Sequence, residues 1–108
     1  MTLIPDLLAN GQVASGATAM YTVPTGMRVT IESIHYYNTS ASANSVVTYI
    51  NAGTQRIIDT HSVDANGRYI CIDNNAPLYL DAADVLLASD GVGAEVNYHI
   101  FGTIEQKG

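Results

Sequence analysis

Short runs of Val, Ile, Thr and Tyr, broken at intervals of roughly 8–12 residues by Gly, Asn, Asp and Pro, set the rhythm of this chain. Ala, Leu, Glu and Lys nowhere combine with a period of about 3.6 residues over three turns, so no helix is predicted. The pattern predicts strands over Thr18–Val23, Arg28–Tyr37, Val46–Asn51, Gln55–His61, Arg68–Asp73, Leu78–Leu80, Val85–Ser89 and Ala94–Ile104. Turn chemistry separates them: Pro24-Thr25-Gly26, Asn51-Ala52-Gly53-Thr54, Val63 to Gly67 with Gly67 at positive φ, Asp81 to Asp84, and Asp90 to Gly93. In the last strand Ala94, Val96, Tyr98, Ile100 and Ile104 alternate with Glu95, Asn97, His99, Thr103 and Glu105, and Phe101 joins the polar side. Arg28–Tyr37 is less regular, because Val29 and Ile31 share one parity while Ile34 and Tyr36 take the other. Either both faces are covered, or a bulge near Glu32-Ser33 resets the register.

These elements predict an all-β protein: an antiparallel β-sandwich, jelly-roll-like, of about eight strands. One such domain spans residues 17–108, and residues 1–16 are read as an irregular N-terminal arm. Within the arm, Ile4–Ala9 is either a short helical turn with Pro5 near its start or a segment extended over a neighbouring subunit. Gln12–Ala14 is a minor strand.

Composition moves this picture toward surface contact. Of 108 residues, 47% are apolar and 13% charged, against about 25% charged in an average domain. A chain this short buries only about two-thirds of the surface its unfolded form exposes, so self-association is the expected outlet for the remaining apolar area. The net charge is −6, and the four cations, Arg28, Arg56, Arg68 and Lys107, do not cluster. Nucleic acid and anionic membranes are therefore not expected partners. The first residues lack the basic and apolar regions of a signal peptide, and no run approaches about 20 apolar residues, so synthesis in a cytoplasm is expected. Cys71, the single cysteine, cannot form an internal disulfide and reads as a buried, inert thiol.

Candidate chemistry is sparse. His35, His61 and His99 fall on three different predicted strands, each alone in sequence. Glu32 and His35, three residues apart, would face opposite ways on a regular strand. No metal site, cofactor or catalytic set is expected, and no Ser sits in a Gly-x-Ser-x-Gly elbow. Asp81, Asp84 and Asp90 fit turn capping. Asp64-Ala65-Asn66-Gly67 opens like a calcium loop but lacks the later ligands, and Asn38-Thr39-Ser40 matches a glycosylation sequon without a secretion signal beside it. Seven tyrosines against one Phe and no Trp suit partly wet contact surfaces. Tyr98 is expected in the core and Tyr79 outside it. Tyr79 and Phe101, with Leu3, Ile4, Leu7 and Leu8 of the arm, are the candidate interface residues.

Tyr21 to Gly26, followed by Val29 to Ile34 and Asn38 to Ser40, resembles small virion proteins of tailed bacteriophages. So does Leu78-Tyr79-Leu80 followed by Asp81 to Asp84 and Val85-Leu86, ahead of a Gly-rich turn and a final alternating strand. The resemblance covers about residues 18–104 and brings no catalytic residue. It implies sandwich or jelly-roll modules, often trimeric, that decorate or cement capsids or sit on tails and fibres. The expected function is thus that of a non-enzymatic virion structural protein, made in the host cytoplasm. It would act as a capsid decoration homotrimer bound to the major capsid protein or another virion component. The alternative is a receptor- or carbohydrate-binding module of a tail tip or fibre, with Asn38, Asn44, Asn66, Asn74 and Asn75 in its loops. A metal-dependent β-barrel enzyme is the third class.

Overall fold

β-Branched and aromatic residues at alternating positions build nine strands and no helix among residues 6–72, 77–93 and 95–106, which the computed structural model describes. The strands are β1 (Asp6–Gln12), β2 (Thr18–Thr22), β3 (Met27–Asn38), β4 (Asn44–Asn51), β5 (Gln55–Val63), β6 (Arg68–Ile72), β7 (Leu78–Leu80), β8 (Val85–Ser89) and β9 (Val96–Gln106). One sheet has the order β1-β9-β3-β6, with β7 also paired to β3, and the other runs β2-β8-β4-β5. β6 and β7 pair with successive stretches of β3, at Ile34–Tyr37 and Val29–Ile31, so together they fill one strand position. The nesting of β1 with β9, β2 with β8, β3 with β6 and β7, and β4 with β5 is that of a jelly roll. The alternation in the sequence predicted this antiparallel sandwich.

The irregular parity of β3 has a local cause. Its ladder with β9 shifts register between Ile31 and Ser33. The extra residue, Glu32, lets Val29, Ile31, Ile34 and Tyr36 all point into the core. With Ile31 and Ile34 both inward, Glu32 and Ser33 stand side by side on the outer side, which they share with His35. The expectation that Glu32 and His35 face opposite ways is therefore corrected. Val46, Leu86, Ala88 and Met20 of the second sheet close the core from the other side. Tyr36 crosses between the sheets, its hydroxyl 2.7 Å from Thr48 Oγ1. At Gly102, β9 lies so close to β3 that a Cβ would collide with the Thr30 carbonyl oxygen, which explains why the apolar alternation skips that position.

Three further expectations change. Residues 6–12 are a strand and not part of an irregular arm: β1 pairs with β9 from Asp6 opposite Gly102 to Gln12 opposite Asn97. The physical reason is the row of backbone donors and acceptors that β9 would otherwise leave open along its length. Gln12 accordingly ends β1, and Val13 N–H donates to the Val96 carbonyl at 2.7 Å. Ile104, expected inside, is 47% exposed although Val29, opposite it on β3, is fully buried. In the 63–67 turn the positive φ belongs to Asn66, at 54°, whose short polar side chain tolerates it, while Gly67 N–H donates to the Asp64 carbonyl at 2.9 Å. Leu3, Ile4, Asp73, Asn74, Asn75 and Ala94 lie outside the described residues.

Candidate functional site

The outer face of the β1-β9-β3-β6 sheet is assembled by two bulges. The first, at Glu32, turns His35 and Tyr37 outward. The second lies in the β3–β6 ladder, where a register shift between Ile34 and His35 leaves Cys71 as the extra residue of β6. Tyr69, Cys71 and Ile72 pack on the core, and Ile70 is left outside. Cross-strand rows follow from the register. Leu7, Phe101 and Ser33 form one; Asn10, His99, His35 and Ile70 form the next; Gln12, Asn97, Tyr37 and Arg68 form the third. Tyr79 extends the face where β7 pairs with Thr30.

The face carries exposed apolar and aromatic side chains among polar ones. Tyr79 is 74% exposed, Leu7 and Ile70 are each 47% exposed and Tyr37 is 39% exposed. Of the expected interface residues, Tyr79, Leu7 and Phe101 share this face. Phe101 is half-buried rather than free, its ring edge-on to His35 with centroids 5.2 Å apart at 71°. Leu8, at the β1 bulge, turns inward against the core and is not part of this face. Tyr37 and Ile70 carried no expectation as surface residues, and the histidines were named without the pairing of His35 with His99. Period-two counting from Ile34 and Tyr36 would have placed Tyr37 and His35 outward once the bulge was accepted, whereas Ile70 is hidden by a bulge that carries no Gly or Pro.

The three histidines divide. His35 and His99 stand directly opposite each other on β3 and β9, beside Tyr37 and Arg68. Burial, and then the charges of His99 and Arg68, hold the His35 imidazole below its ordinary proton affinity. His61 lies on the other sheet and stacks flat on Tyr69, 3.7 Å between centroids, while the Tyr69 hydroxyl donates to Asp59 Oδ2 at 3.1 Å. Cys71 Sγ approaches Thr48 Oγ1 at 3.8 Å. Burial, then the nearby Asp59 carboxylate, pushes this thiol up to about 12, far from thiolate chemistry.

The aspartates cap turns. Asp84 Oδ2 accepts the Asp81 N–H at 2.9 Å, and Asp90 Oδ1 accepts the N–H groups of Val92 and Gly93. Among the described residues, no group of three or more His, Cys, Asp or Glu is placed to hold a metal ion. Neither a protein-family pattern nor a curated protein sequence matches this chain.

Proposed function

We propose that this chain is a non-enzymatic structural subunit of a tailed-phage virion, a capsid decoration or cement protein that acts as a homotrimer and docks through the outer face of its larger sheet. The observation that carries the docking role is the shared exposure of Leu7, Tyr37, Ile70 and Tyr79 on that face. The area is of the right order for the task. Four strand positions about 4.8 Å apart, with 7 residues in β1, 11 in β9, 12 in β3 and 5 and 3 in β6 and β7 at about 3.3 Å each, make a face on the order of 600 Å². Ordinary specific interfaces use about 800 Å² per partner. The virion assignment draws on the sequence resemblance, and the jelly roll is compatible with it, since this architecture recurs in viral capsid and lectin domains.

Light scattering on the purified chain is expected to return a defined oligomer, and the double variant Ile70→Glu, Tyr79→Glu is expected to prevent particle attachment while the fold is kept. Both side chains are exposed, so their replacement removes contact area without opening the core. Electron microscopy of particles incubated with each form reads the result. Equal decoration by both forms would overturn this docking face. The second reading, a receptor- or carbohydrate-binding tail module, draws on the hollow beside Tyr37 and Arg68, and glycan-array binding lost on Arg68→Gln would favour it.

A further inference from the structure

One of the chain's four cations, Arg68, stands beside a histidine pair on the outer face. Ten acidic residues outnumber four basic ones in the sequence. Yet His35, Tyr37, Arg68 and His99, with Tyr36, line a shallow hollow of about 260 Å³ that holds no Asp or Glu. Register explains the convergence. His35 lies opposite His99, and Tyr37, two residues further along β3, lies opposite Arg68. Directly opposed antiparallel positions hold their Cβ atoms about 4.5–5.5 Å apart, so four side chains rise from one small patch.

We propose that this hollow binds a carboxylate, gripped by the Arg68 guanidinium and the imidazole N–H groups of His35 and His99, with the Tyr37 ring as one wall. The planar guanidinium fork matches a carboxylate with two parallel hydrogen bonds. Arg68 is the one permanent cation of the hollow, which fits a monoanion, and the adjoining rings of Tyr37 and Phe101 fit the carbon skeleton behind it. The surrounding elements do not supply the anion themselves. β1 presents Asn10 and Gln12 in these rows; Glu32, on the same outer side as His35, is not among the charges that act on it; Glu95 accepts from Asn44 Nδ2, and Glu105 lies opposite Arg28 several residues along the strands. The charges that act on His35 are those of His99 and Arg68, both repulsive to its protonated form. A bound carboxylate relieves that repulsion, so binding and imidazole protonation promote each other, and affinity rises as pH falls. The carboxylate of an acidic sugar and that of a Glu or Asp side chain share this chemistry. The inference shares the docking face but does not rest on the virion reading, because the small-anion test below needs no partner protein.

The test follows the His35 ring-proton midpoint of the full chain by NMR from about pH 5 to about pH 8.5, first in chloride. Acetate, a uronic acid, N-acetylglutamate or phosphate then replaces chloride at equal ionic strength. The carboxylates are expected to raise the midpoint by about half a unit or more, and Arg68→Gln is expected to abolish that rise. Arg68 is exposed, and the amide spectrum of the same sample reports the fold. Arg68→Lys, which keeps the charge without the fork, serves as second variant and is expected to weaken the rise. A stronger response to the uronic acid than to N-acetylglutamate names a sugar as the source, and the reverse names an acidic side chain. The same midpoint in chloride and in carboxylate, a rise undiminished in either Arg68 variant, or a larger response to phosphate would overturn the proposal. Diffusion measured on the same samples reads the oligomeric state, so that failure of the docking reading is seen separately.

Discussion

Asn38 uses both ends of its side-chain amide inside the protein. Its Nδ2 donates toward the carbonyl oxygens of Ser42, Val63 and Asp64 at 2.8, 3.1 and 3.2 Å. Its Oδ1 accepts from Ser40 N–H at 2.9 Å and from Asn44 Nδ2 at 3.1 Å, and Asn44 in turn donates to Glu95 Oε2 at 2.9 Å. One amide therefore ties the loop after β3 to the turn after β5 and, through Asn44, to the start of β9. Asn38→Ala removes the donor from the buried Val63 carbonyl and the part-buried Ser42 and Asp64 carbonyls and the acceptor from the Ser40 N–H, and is expected to cost about 2–4 kcal/mol. Asn38→Asp is expected to do nearly as much harm, because a carboxylate cannot donate to those carbonyls. Urea unfolding measures both, and a midpoint unchanged by Asn38→Ala would show the network to be dispensable. The same burial removes the sequon Asn38-Thr39-Ser40 from consideration as a glycan acceptor in the folded protein. In the sequence Asn38 is one polar residue in a small-residue loop. Nothing local marks it, since its partners lie as far as 26 positions away.

β1 and the β4–β5 hairpin show which elements a sequence discloses. The hairpin announces itself: two apolar, β-branched runs flank Asn51-Ala52-Gly53-Thr54, and Gly53 takes a positive φ, 94°. β1 is composed of Asp6, Leu7, Leu8, Ala9, Asn10, Gly11 and Gln12, mostly residues of low strand propensity. Its strand state comes from β9 and not from its own composition. The outer face was hidden for a related reason, since its rows depend on the bulges at Glu32 and Cys71, and a one-residue shift moves every later side chain to the other face. Removal of residues 1–9 takes away Asp6 to Ala9, their pairing with Gly102, Phe101 and Ile100, and the inward Leu8. Leu8 is partly buried and contributes less than the about 1.5–3 kcal/mol of a fully buried Leu, and each lost ladder hydrogen bond contributes about 0.5–1.5 kcal/mol. The truncated chain is expected to lose on the order of 3–5 kcal/mol and to aggregate through the uncovered edge of β9. Denaturant unfolding with scattering checks both. A truncated chain as stable and as soluble as the parent would mean that residues 1–9 are a dispensable arm after all.

Over the whole molecule, titratable groups bound the pH range of stability from both sides. The His35 proton affinity is held below its ordinary value of 6.5 by burial, then by His99 and Arg68. The unfolded chain thus takes up that proton first, so the stability linked to His35 is complete above about 6.5 and is lost as pH falls below it. The alkaline side has the opposite sign. Burial, then Asp59, lifts the Cys71 thiol from 9.0 to about 12, and burial, then the hydrogen bond to Asp59, lifts the Tyr69 phenol from 10.0 to about 12. Tyr36 is lifted further still, chiefly by burial. Here the unfolded chain releases protons first, so stability is complete below about 9 and declines as pH rises past it. Melting temperature is expected to be flat between these limits and to fall on either side. The growing negative charge of an already acidic protein would also lower it at high pH, but that effect is not tied to one side chain. Cys71→Ala separates the two causes. It leaves the overall charge at neutral pH unchanged, and it is expected to move the onset of alkaline loss from near 9.0 toward the 10.0 of the tyrosines. An onset that stays near 9 in Cys71→Ala would assign the loss to general repulsion. His35→Gln is expected to flatten the acid limb in the same series, and an acid limb unchanged by that substitution would remove His35 from the account of acid stability.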